Sequence, residues 1–243
     1  LWLSLVFLSN ISIAQTARVQ VIHNSPDLAA TQVDVYVNGG LLLNNFAFRT
    51  ATPFIDVPAG VALRIDVAPS TSSSSAESLF NLTTTLEESE TYIVVANGIV
   101  SGSGYTPNQP FALNVFAQGR EVASNSANTD VLVNHGSPDA PTVDVKAREA
   151  GDLVLVNDAA YSDITPYFSV PAGNYTLQLK NGTDGNTILD LCDRAIPLTD
   201  AINFTVLPLT HPNPPVLSSS LFSIINCAPK HKPKINFLFP WGA

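Results

Sequence analysis

The chain has little of what most chemistry needs. Its 243 residues include four histidines and two cysteines, and charged residues make up only 13%. Basic residues are the scarcer charge, 11 Lys and Arg against 20 Asp and Glu, for a formal net charge of −9. Neutralising a phosphate backbone takes clustered Lys and Arg, so this balance argues against nucleic acid as a partner. It suits a soluble surface, or one that attracts cations. Cys192 and Cys227 both fall in the last quarter. An exported protein can pair such cysteines, but nothing sets their distance, and two free thiols are an equal reading. Neither has the histidine-and-acid setting of a nucleophile. No G-x-S-x-G, H-E-x-x-H or phosphate-cradling glycine loop is present, which removes support for the common hydrolase and nucleotide chemistries. Helical periodicity is missing too, and so is any apolar run long enough to span a bilayer as a helix.

What is present is a folded, repetitive chain. Hydrophobic residues reach 45%, which excludes a disordered polymer, and the length allows two domains, each with its own core. The first residues read LWLSLVFLSNISIAQ. A short apolar run, Leu1–Leu8, leads to Ser12-Ile13-Ala14, small residues where signal peptidase needs them. Residues 1–14 are therefore expected to be a secretory signal. It has no starting Met and no basic flank, as in a sequence that begins inside its reading frame. A buried first strand is the competing reading. No cysteine follows Ala14 to carry a lipid anchor.

RVQVIHNSPDLAATQVDVYV and DVLVNHGSPDAPTVDVKA are two copies of one segment. His23, Ser25, Pro26 and Asp27 match His135, Ser137, Pro138 and Asp139, and Val33-Asp34-Val35 matches Val143-Asp144-Val145. Later, NNFAFRTATPFIDVPAG meets NDAAYSDITPYFSVPAG, with Val57–Gly60 matching Val170–Gly173. Order and spacing hold throughout, so the chain is a duplication. Within each copy apolar residues alternate, as in Val33, Val35 and Val37, or Leu63, Ile65 and Val67, or Tyr175, Leu177 and Leu179. Alternation makes strands with one buried face. Asn38-Gly39 suits a tight hairpin, and Val-Pro-Ala-Gly suits a type I turn with Pro58 or Pro171 second and Gly60 or Gly173 last.

The expected fold is all-β: two tandem antiparallel sandwiches, at 15–123 and 130–207, joined by a linker at 124–129. Strands TYIVVANG and FALNVFAQG close the first copy. Only Ile202–Leu207 faintly resembles the first of them in the second copy, whose closing strands are missing or divergent. Beyond Pro208 a Pro-rich tail, 208–243, shows no alternation. A reading-frame shift near Leu191 and a genuine divergent tail both account for it.

These motifs, [VI]xHxSPDAPxVDVY twice, TPFxxVPAG and TYxVVAxG, resemble the bacterial extracellular family called domain of unknown function 4397. The resemblance covers about Arg18 to Leu191, and departs from the family pattern at Asp27-Leu28. It implies an immunoglobulin-like or prealbumin-like sandwich outside the cytoplasm, and it brings no catalytic residues with it.

The HxSPD motif carries the main functional question. His23 with Asp27, and His135 with Asp139, have the chemistry of metal ligands or proton carriers. A zinc site needs three or more converging ligands. The nearby acids are Asp34 and Asp144, while His211 and His231 lie in the tail. The structural reading explains more: a strand ends at the histidine, and Ser-Pro-Asp (Ser25, Pro26, Asp27; Ser137, Pro138, Asp139) turns the chain while capping free amides. Asp184, Asn186 and Asp190 offer oxygens to calcium, the one cofactor candidate, but lack the spacing of a helix–loop–helix site. Tyr105, in a long loop, is the candidate for stacking on a sugar. The expected function is an exported, non-catalytic spacer or adhesion module of the bacterial surface, meeting a cell-surface polysaccharide or protein. A calcium-assisted carbohydrate-binding module is the alternative, and a metal-dependent hydrolase using His23 and Asp27 comes third.

Overall fold

A computed structural model describes residues 15–138, 140–147, 151, 153–171, 173–175, 177–190, 196–198, 202–207, 221–226 and 234–237. The first copy contains β1 (Thr16–His23), β2 (Gln32–Val37), β3 (Gly40–Ala47), β4 (Thr50–Ala51), β5 (Ile55–Pro58), β6 (Ala62–Pro69), β7 (Phe80–Thr85), β8 (Thr91–Asn97) and β9 (Ala112–Ala117). The second contains β10 (Asn128–His135), β11 (Val143–Ala147), β12 (Leu153–Ala159), β13 (Phe168–Pro171), β14 (Gly173–Tyr175), β15 (Leu177–Asn181), β16 (Thr187–Asp190) and β17 (Ile196–Leu198). After these come β18 (Ile202–Leu207), β19 (Leu221–Asn226) and β20 (Lys234–Phe237). Among the described residues no helix is long and apolar enough to cross a membrane.

Each copy sets one sheet against another, as the alternating patterns predict. In the first, β4-β1-β8-β9, with β5 also on β1, faces β3-β2-β6-β7. In the second the sheets are β13-β10-β18-β19-β20 and β12-β11-β15-β16, beside a short β14–β17 ribbon. Strand pairing is antiparallel except for β1–β8 and β10–β18, which are parallel. Parallel neighbours need a long return path, and β2–β7 in the first copy and β11–β17 in the second lie between these strands. β18 thus occupies beside β10 the place that β8 holds beside β1, and β19 flanks it as β9 flanks β8. The stretch read as missing or divergent supplies strands in those places.

The expectation of one buried face per strand is wrong for the sheets built on β1 and β10. Tyr92 and Val94 point into the first sandwich, while Ile93 and Val95, both 0% exposed, point out of it. They meet Leu132 of β10, with Phe54, Phe116, Ile164 and Tyr167 around them. A strand buried on both faces reads as a continuous apolar run rather than an alternating one, and Tyr92–Ala96 is such a run. The two copies therefore share a third core between them. Polar bonds rim this seam: Asn24 Nδ2 donates to Gly136 O at 2.8 Å, Asn114 Nδ2 to Ser162 O at 3.1 Å, and Arg120 N to Tyr167 Oη at 3.0 Å. The Arg120 guanidinium lies 4.8 Å from the centre of the Tyr167 ring. It also pairs at 2.6 Å with the buried Asp130 carboxylate, which takes the Ser124 amide and the Ser169 hydroxyl as well. The linker expected at 124–129 is part of this structure, since β10 begins at Asn128.

Candidate functional site

The HxSPD corner is built from the end of β1. Alternation turns Val19, Val21 and His23 inward, and the ring of His23 is 1% exposed. Its Nε2 lies 2.7 Å from Ala30 O. A carbonyl only accepts, so Nε2 carries the proton, and Nδ1 is left to accept the Ser25 amide at 3.3 Å. Burial lowers the pKa of the ring to about 4, against the pull of the Ala30 carbonyl. The neutral ring sits 5.7 Å from Phe46 and 6.1 Å from Phe48. The second copy repeats the arrangement: His135 Nε2 donates to Pro141 O at 2.9 Å, and Nδ1 accepts the Ser137 amide at 3.4 Å. In both copies each ring nitrogen is committed to backbone, so neither ring has a lone pair to give a metal or a substrate. Among the described residues no three His, Cys, Asp or Glu side chains converge.

Asp27 caps the short 3-10 turn Leu28–Ala30 by accepting the Ala29 amide at 2.9 Å. The same carboxylate accepts the Ser101 amide at 2.6 Å, the Ser101 hydroxyl at 2.7 Å and the Tyr105 hydroxyl at 3.1 Å. Burial pushes this carboxyl up, but the hydrogen bonds, led by that of the Ser101 hydroxyl, outweigh it and hold the group below the usual carboxylate range. Tyr105 Oη in turn accepts the Leu28 amide at 2.8 Å. Burial first, and then the Asp27 charge, pushes its phenol upward. The tyrosine expected to stack on a sugar is therefore a strut between its loop and the corner. Pro26 is buried, and Ser25 does not cap an amide: its hydroxyl donates to Gly98 O at 2.6 Å. Gly98 itself has φ +82°, and a Cβ there would lie 2.2 Å from Pro110 O, so the loop closes only on glycine.

The remaining motif residues hold backbone as well. Asp34 Oδ1 accepts the amide of Asn45 at 2.8 Å, and Asp144 Oδ1 accepts that of Asp158 at 2.9 Å. Asn45 and Asp158 have φ of 51° and 54°, and the β2–β3 and β11–β12 registers both slip beside these aspartates. Each aspartate thus caps a β-bulge. Thr52 Oγ1 accepts Val21 N at 3.0 Å, and Thr165 Oγ1 accepts Val133 N at 2.9 Å. The turn expected at Val57–Gly60 is open. Gly60 N donates to Leu86 O at 2.8 Å instead of bonding back to Val57, and Pro58 ends β5 opposite Thr16. Pro171 similarly faces Asn128, while Gly173 starts β14 opposite Leu198.

Asp184 and Asn186 lie in the exposed turn of the β15–β16 hairpin, where Asp184 Oδ1 accepts the Asn186 amide at 2.9 Å. Asp190 lies at the far end of β16, opposite Gln178. Asp184 and Asn186 thus share one hairpin turn, and Asp190 stands apart from it at the end of the strand. Asp139, both cysteines, His211, His231 and residues 1–14 fall outside the described residues.

Ser101 and the bulge role of Asp34 escaped the sequence reading. The repeated Val-Asp-Val was the signal for Asp34, since a charged residue copied inside a strand needs a partner, and Ser101 had none. No curated protein matches the chain. A family profile, Domain of unknown function (DUF4397), matches residues 17–146 and again 129–214. With most of its length matched, twice and in tandem, the chain belongs to that family.

Proposed function

We propose that the protein is an exported, non-catalytic tandem module that works as a rigid spacer or adhesion unit at a bacterial cell surface. One observation carries this reading. The motif side chains whose contacts are described are spent on backbone and on neighbouring hydroxyls, while the two copies share a buried apolar seam closed by Arg120 and Asp130. A pair of sandwiches joined through a dry core holds its ends at a set distance, and contacts with a polysaccharide or protein fall to the loops. Export rests on the apolar stretch before Ala14. The test is a glycan and cell-wall binding array with the whole chain, run with and without EDTA, on protein checked by circular dichroism. A folded but silent sample supports the spacer. Calcium-dependent glycan binding, lost in Asp184→Asn, would replace it with the carbohydrate-binding alternative.

A further inference from the structure

The core of the first sandwich is split. Its buried apolar residues fall into two clusters, one around Val19, Leu63 and Tyr92, the other around Val33, Val67 and Phe111. Between them lies a cavity of about 60 Å³ with walls from both sheets. The second sandwich, on the same topology, keeps its described inner residues in a single cluster.

Its wall carries no hydroxyl, amide or carboxylate. The only heteroatoms belong to His23, which is neutral and has both nitrogens bound to backbone. Water needs two to four polar partners to stay in such a space, so the gap is either empty or filled by hydrocarbon. Leu42 lines it and is 37% exposed, on the edge strand β3, and neighbouring Leu41 is 53% exposed. Among the described residues β3 pairs only with β2, and the strand Gly40–Ala47 contains no charge. Size then selects the ligand class. Benzene sits in a cavity of roughly 150 Å³, so 60 Å³ is too small for a ring. Scaled from the six carbons of benzene in that larger cavity, it has room for roughly the last two or three carbons of an unbranched chain.

We propose that this cavity is a binding site for the end of an aliphatic chain, which enters past Leu42 and leaves its stem and polar head in solvent. The inference is independent of the spacer reading. The test titrates the whole chain with 1-octanol by calorimetry, with cyclohexylmethanol as the bulky control. The wild type is expected to bind one equivalent of octanol saturably, and the ring alcohol at least tenfold more weakly. Ala96→Leu fills the cavity from β8 and should weaken octanol at least tenfold, with its melting temperature kept or raised. If that variant does not fold, Leu42→Lys at the mouth gives the same comparison with the core untouched, and a tenfold loss is again expected. No saturable binding by the wild type, equal binding of the two alcohols, or wild-type affinity in the folded variant would each overturn the proposal.

Discussion

The two copies carry the same corner and treat it differently. Around His23 and His135 the bonds correspond one for one: ring to carbonyl, amide to ring, threonine to strand, aspartate to bulge. What differs is the support behind them. The two corners meet at the seam, where Asn24 donates to Gly136 O, but only the first is seen braced by a loop, which brings Ser101 and Tyr105 onto Asp27. The first core is split by a cavity, and the second is one cluster among its described residues. Duplication preserved the local bonds that make a strand turn. It left core packing free to diverge, since cores accept many side chains of suitable volume.

The seam gives the sharpest way to break this pairing. Ile93→Ala should cost about 3–4 kcal/mol, because a large fully buried side chain leaves a void between sheets that cannot close on it. Leu132→Ala, from the other side, should cost a similar amount, ~3 kcal/mol. Urea unfolding reads both, and the shared core predicts that each variant lowers the stability of both copies together. Val115→Ala, at a site 41% exposed, should move stability by less than about 0.5 kcal/mol.

Acid should weaken the first corner. Burial depresses the folded-state pKa of His23 from 6.5 to about 4, so the unfolded chain takes up the proton first. Its contribution is fully present above pH 6.5 and is lost as pH falls toward 4, by about 3 kcal/mol. Asp27, held below its ordinary 3.8, adds its own loss only at lower pH. A pH series of urea unfolding should show the slope between 6.5 and 4 in the wild type. Most of that slope should vanish in His23→Gln.

The bulge aspartates come next. Asp34 is 2% exposed and holds both Asn45 and the Ser72 hydroxyl, so Asp34→Asn should cost about 2 kcal/mol. Asp144 is less buried, and Asp144→Asn should cost about 1 kcal/mol. Tyr105→Phe should likewise cost about 1 kcal/mol. It should be seen mainly as faster hydrogen exchange at the Leu28 and Ser101 amides, with the second corner unchanged.

Much of this was legible residue by residue. Val33, Val35 and Val37 announced β2, Asn38-Gly39 announced the hairpin into β3, and the copied HxSPD announced a turn more than a catalytic pair. These features depend on neighbours a few positions apart. The strut from Tyr105 to Asp27 spans 78 positions, so nothing local distinguishes it from a solvent-facing tyrosine. The both-sided burial of β8 was written in Tyr-Ile-Val-Val-Ala, but an apolar run says only that both faces are covered, not by what.

By itself, the sequence determined the strands, their turns, the duplication and the family, because alternation, glycine and proline act through the nearest few residues. Tertiary structure alone decided that both ring nitrogens of each motif histidine are bonded to backbone, that the copies share a seam, and that one core holds a gap. Those outcomes depend on which side chains meet across sheets far apart in sequence. Such meetings are set by packing and excluded water, which no short stretch of chain encodes.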